Sequence, residues 1–105
     1  MTSSLTENPT NMKSIENRHH QLVNRLRSAE AQFERTPGSV CLVAVSKTQS
    51  PEAIRTIAAL RQKDFGENQL QEALGKVKIL SDLNCIWHFI GSIQTNKCRD
   101  IATHF

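Results

Sequence analysis

The sequence predicts an α/β protein built around a parallel sheet. Short runs rich in valine and isoleucine alternate with longer amphipathic stretches, and the short runs are apolar almost throughout. Strands covered on both faces read this way, and strands separated by helices pair in parallel. Composition agrees: 105 residues, 38% hydrophobic and 22% charged, suit one small globular core of modest stability.

The elements follow in order. Residues 1–13 are polar, contain Pro9 and show no periodicity, so they are expected to form a flexible tail. From Ser14, the residues Ile15, Leu22, Val23, Leu26, Ala29 and Phe33 recur at helical spacing, and Thr36-Pro37-Gly38 ends that helix. Val40 to Val45 is the first strand. Ser50-Pro51-Glu52 supplies an N-cap, a proline suited to the first helical position and an acid for the first turn. Ile54, Ile57, Ala58 and Leu60 form that second helix's buried stripe. Asp64-Phe65-Gly66 is a short second strand, and Asn68 to Leu80 a third helix with Leu70, Ala73, Leu74 and Val77 inward. Ile86 to Ile90 is the third strand, and Gln94 to Ala102 begins another helix.

Residues 14–105 therefore read as about three βα units after an N-terminal helix. The pattern stops within a helix, at Ala102-Thr103-His104-Phe105, with no glycine or proline stop signal. An eight-stranded barrel needs about 200 residues or more, so the domain reads as truncated. An open three-stranded sheet with an unpaired edge is expected to self-associate.

Several function classes are disfavoured. Thirteen Lys and Arg against ten Asp and Glu give a net charge of +3, but the basic residues are interleaved with acids and form no nucleic-acid stripe. Cys41, Cys85 and Cys98 are scattered and odd in number, which suits a reducing cytoplasm better than a disulfide framework or zinc site. No apolar run reaches the ~18–20 residues of a membrane span, and the N-terminus lacks a secretory core. A cytoplasmic protein is expected, with an organellar pool still open.

Chemistry is expected where strands give way to helices, because the βα loops of a parallel sheet open at the strands' carboxyl ends. Lys47 lies two residues beyond the first strand. A lysine at such a site can supply a neutral amine that condenses with an aldehyde, or be a plain solvated loop residue. Asn68 lies between the second strand and its helix, where it can cap the helix or face a ligand. Strand alternation puts His88 on the side of Ile86 and Ile90, opposite Trp87 and Phe89. A lone histidine there is more often a satisfied core residue than a catalyst. Gly91 permits a close backbone approach.

The segments VSKTQSPEAI, DFGENQLQEA and WHFIGSIQTNK, in this order and spacing, resemble the pyridoxal phosphate homeostasis protein family. The resemblance runs from the first helix to the end of the chain. It implies the N-terminal portion of a (β/α)8 TIM barrel, fold type III-like and similar to the barrel domain of alanine racemase. It further implies a Schiff base between pyridoxal 5′-phosphate and a lysine, matched here by Lys47. Val45-Ser46 and Thr48 would then fix the strand exit, Asn68 would lie near the cofactor, and His88 would line the interior. No metal is implied.

By the same resemblance the protein is a cofactor carrier without established turnover, its partners being the cofactor, apo enzymes that use it, or amino acids. A racemase- or decarboxylase-like enzyme on the same barrel is the alternative, as is a non-functional fragment. The enzyme needs a positioned acid–base pair, and the chain contains no tyrosine to supply a racemase-like partner. Gln69 departs from the family, where an aromatic residue is frequent. The cofactor's phosphate is expected on loops after late barrel strands.

Overall fold

A computed structural model describes residues 9–105, which contain four α-helices and three strands. The described residues fall into two compact units, one ending at Leu42 and the other running from Val43 to Phe105. In the first, helix α1 spans Pro9–Gln32. It starts five residues before the expected Ser14, so 9–13 are helical and only 1–8 of the expected tail lie outside the described residues. Proline fits an opening turn because the N–H it lacks would have no helical partner there. After the helix, the buried Glu30 accepts hydrogen bonds from Gly38 N (3.0 Å), Val40 N (2.8 Å) and Arg27 Nη1 (2.8 Å). These bonds, those from the two backbone amides above all, hold its carboxyl below the usual glutamate range. On the expected apolar stripe, Leu22 and Phe33 are exposed.

The second unit holds the sheet. Strand β1 (Ala44–Val45) pairs with β2 (Asp64–Glu67), and β2 with β3 (Ile86–Phe89), all in parallel and in sequence order. The expectation of a parallel sheet is met. The first strand is shorter than Val40–Val45, because only Ala44 and Val45 find partners on β2, opposite Phe65 and Gly66. Helix α2 (Pro51–Ala58) follows β1, and its N-cap Ser50 accepts a bond from Ala53 N at 3.1 Å. Helix α3 (Leu70–Ile79) follows β2. A 3-10 turn (Thr95–Lys97) leads into α4 (Cys98–His104).

Ile54 of α2, Phe65 of β2 and Leu80 after α3 form the core, with Ala44, Ile57, Ala58, Leu83, Cys85 and Trp87 packed around them. Phe65 and Trp87 meet with ring centroids 5.7 Å apart. This packing covers one face of the sheet. The residues of opposite parity, Val45, Ile86 and Ile90, remain half exposed. Gly66 belongs to that second face: a Cβ there would lie 3.1 Å from Ile90 Cδ1 and 3.3 Å from Val43 Cγ1. Among the described residues no helix is long and apolar enough to cross a membrane.

Candidate functional site

All three strands end at one edge, where the loops carrying Lys47, Asn68 and Gly91 emerge. The register aligns Val45, Gly66 and His88 in one row across the sheet. Lys47 and Asn68 each lie two residues beyond that row, whereas His88 lies within it.

Lys47 is exposed, and its ammonium has no hydrogen-bond or ion-pair partner among the described residues. It sits in a turn closed by Gln49 N donating to Ser46 O at 3.0 Å. Thr48, the third residue of that turn, has φ 64°. A positive φ at this position marks a type II-like turn that glycine or asparagine normally fills, and it is unfavourable for a β-branched residue. Such backbone strain costs about 1–3 kcal/mol and persists where the surroundings over-determine it.

The surroundings here are a buried polar network on the helix side of the sheet. Lys76 of α3 is 5% exposed and Glu67 of β2 is fully buried. Lys76 Nζ donates to Glu67 Oε2 (2.9 Å), Glu72 Oε2 (2.8 Å) and Ser46 O (2.5 Å). Ser46 Oγ donates to Glu67 Oε2, and Thr48 N to Glu72 Oε2 at 2.6 Å. Glu72 is held below the usual glutamate range, first by the Lys76 bond and then by the Thr48 amide. Glu67 Oε1 is buried without a hydrogen-bond partner.

Asn68 does not cap α3. Gln69 occupies the N-cap position and makes no side-chain cap bond. Asn68 instead lines a cleft of about 580 Å³, shared with Gln69, Phe89, Ser92, Gln94 and Lys97. One wall is set by Gly91, where a Cβ would sit 2.9 Å from Asn68 O. Ile90 N donates to Glu67 O at 2.9 Å on the same side.

His88 is engaged elsewhere. Its Nε2 lies 2.9 Å from Asp64 Oδ2. Asp64 opens β2, so this diagonal contact draws the ring toward the amino ends of the strands, away from the Lys47 edge. No hydrogen bond joins Lys47, Asn68 and His88 among the described residues. Nor is there a group of three or more His, Cys, Asp or Glu side chains able to hold a metal there.

Glu67, Glu72 and Lys76 were not singled out from the sequence. Two signals were present: Glu72 and Lys76 are four apart on one helix, and Lys76 falls three residues after Ala73 on the inward stripe.

Fold and site together define a parallel α/β protein that presents a free lysine at the carboxyl edge of its sheet. No family model matches the chain. A pyridoxal phosphate homeostasis protein of Pseudomonas aeruginosa is 49% identical over 94 residues, which cover 90% of this chain and 41% of that protein. The proteins of that name from Vibrio alginolyticus and Escherichia coli K12 are 43% and 36% identical, each over 90% of this chain and 42% of their own length. Two solved structures of PipY from Synechococcus elongatus PCC7942 are 44% identical and cover 79% of this chain and 38% of PipY. Their TM-scores are 0.63 without PLP and 0.64 with PLP bound. Over 90% of its length the chain is similar to these pyridoxal phosphate homeostasis proteins, and it spans about two fifths of their length.

Proposed function

We propose that this chain forms part of a (β/α)8 barrel that carries pyridoxal 5′-phosphate as a Schiff base on Lys47, within the cytoplasmic homeostasis of that cofactor. The observation that carries the reading is the pairing of two facts. The chain follows the backbone of a solved relative with PLP bound, at 44% identity and a TM-score of 0.64. Its Lys47 stands exposed and unpaired at the edge where barrel chemistry gathers.

The residues fit the group. An aldehyde needs an accessible amine, and an ammonium engaged by a carboxylate would resist giving up its proton. Lys47 is accessible and unengaged, whereas Lys76 is locked into three bonds. Bound there, the cofactor supplies a reversible carbonyl linkage, the chemistry a carrier uses to hold and release its cargo. Asn68 contributes a partly exposed amide lining the cleft at the same edge. His88, through Asp64, is assigned to the interior row one step deeper.

The test is covalent trapping. The purified protein incubated with PLP is expected to show an imine absorption band, and borohydride reduction followed by peptide mapping is expected to label Lys47. Lys47→Ala should abolish both. A band unchanged in that variant, or a label mapped to another residue, overturns the assignment.

A further inference from the structure

The network behind the Lys47 turn reaches both of that residue's neighbours and leaves the lysine side chain free. Ser46 is fixed from three directions: its N donates to Gly66 O at 3.0 Å, its hydroxyl donates to Glu67, and its carbonyl accepts from Lys76. Thr48 is fixed through its N–H, which donates to Glu72. Glu67 and Glu72 both hold the Lys76 ammonium.

One buried cation thus ties the residue before Lys47 to the residue after it. The turn between them contains a threonine at φ 64°, a conformation this residue type leaves readily when unrestrained. Charge-assisted bonds are strong enough to oppose that tendency, and the Lys76–Glu67 end that anchors them is removed from water.

We infer that Glu72 and Lys76, together with Glu67, are positioning residues that hold Lys47 at the corner of a strained turn and so present its amine before any cofactor arrives. They act through Ser46 and Thr48. The inference rests on the reading of Lys47 as the cofactor-bearing residue and deepens it.

The Gln49 amide, which closes the turn, reports the effect without ligand. In ligand-free protein Glu72→Ala is expected to speed hydrogen exchange at Gln49 by about tenfold or more, the worth of one charge-assisted hydrogen bond. The same variant is expected to raise the PLP concentration for half-maximal imine formation by a similar factor, with Lys47 still the labelled residue. Thr48→Asn in the Glu72→Ala background should restore both readouts, because asparagine accepts positive φ far more readily. A general loss of folding would not be repaired by that change. Glu72→Gln, which keeps an acceptor for Thr48 N–H, provides a milder variant should the alanine protein fold poorly, with the same accelerated exchange and weaker capture expected to a lesser degree.

Unchanged exchange and capture in the Glu72 variants overturn the inference, and so does a loss that Thr48→Asn leaves unrepaired. The parent reading fails differently. An unlabelled Lys47 in the wild type sinks both, whereas equal labelling and affinity in wild type and variants sink the positioning role alone.

Discussion

On one face of the sheet Phe65 and the nearby Glu67 are 1% and 0% exposed; on the other, Val45, Ile86 and Ile90 are 52%, 51% and 49% exposed. The same three strands produce both faces. What differs is cover: α2 and α3 lie over the Phe65 side, and the Gly66–His88 side keeps its apolar residues half in water. The covered face also hosts the charged network, because removing Lys76, Glu67 and Ser46 from solvent demands that each find partners. On the open face His88 pairs with Asp64, and that pair remains partly hydrated. Burial, more than residue type, decides which polar groups become rigid.

This contrast can be broken by substitution. Phe65→Ala is expected to destabilise the protein by about 3–5 kcal/mol, with Ile86→Ala on the open face costing about 1 kcal/mol. Urea unfolding of both variants checks the pair, and equal losses would mean that the second face is covered in solution. Lys76→Met should also be severe, at about 3–5 kcal/mol, since it strands Glu67 without its cation. Adding Glu67→Gln to Lys76→Met should recover part of that loss, which distinguishes a stranded charge from lost packing.

A smaller effect is expected from Val45→Lys at the open edge, within about 0.5 kcal/mol. It should nevertheless shift the protein toward monomer in sedimentation, because a lysine on an edge strand blocks pairing with another chain. Subtlest is the acid response of the turn. Glu72 titrates below its ordinary value, so its contribution is fully present above about pH 4.3. It is lost as pH falls through the depressed value, as Glu72 takes up a proton and its bonds to Lys76 and Thr48 weaken. Glu67 and Lys76 are the charged groups facing it. The protection of the Gln49 amide in the wild type, taken relative to its intrinsic exchange rate at each pH, should fall in that acid window and stay flat above it, whereas Glu72→Ala should show no such step.

The order of elements was legible because local signals carry it. Ser50 and Pro51 announce α2, and the apolar runs announce the strands. Lys47 was legible as a candidate because its position beyond a strand is a local fact. The network was not, since Ser46 and Lys76 are 30 residues apart and meet only when β1, β2 and α3 assemble. Asn68 was read as a possible cap, but the helix begins one residue later than that role requires, at Leu70 with Gln69 before it. His88 was placed on the right side of its strand by alternation, yet nothing local could show that Asp64 would claim its ring. The shortened first strand has the same origin, because a strand's length depends on which neighbours pair with it.

Gly91 carries one more consequence. With a hydrogen in place of a methyl, the backbone after β3 comes within van der Waals reach of Asn68, where any Cβ would meet a carbonyl oxygen at 2.9 Å. The spacing between two loops is thereby gauged by the smallest side chain available, and even Gly91→Ala would act as a wedge. The separation of the Asn68 and Gly91 loops could then be stepped up in grades, Ala before Val, by pressure on the Asn68 backbone alone.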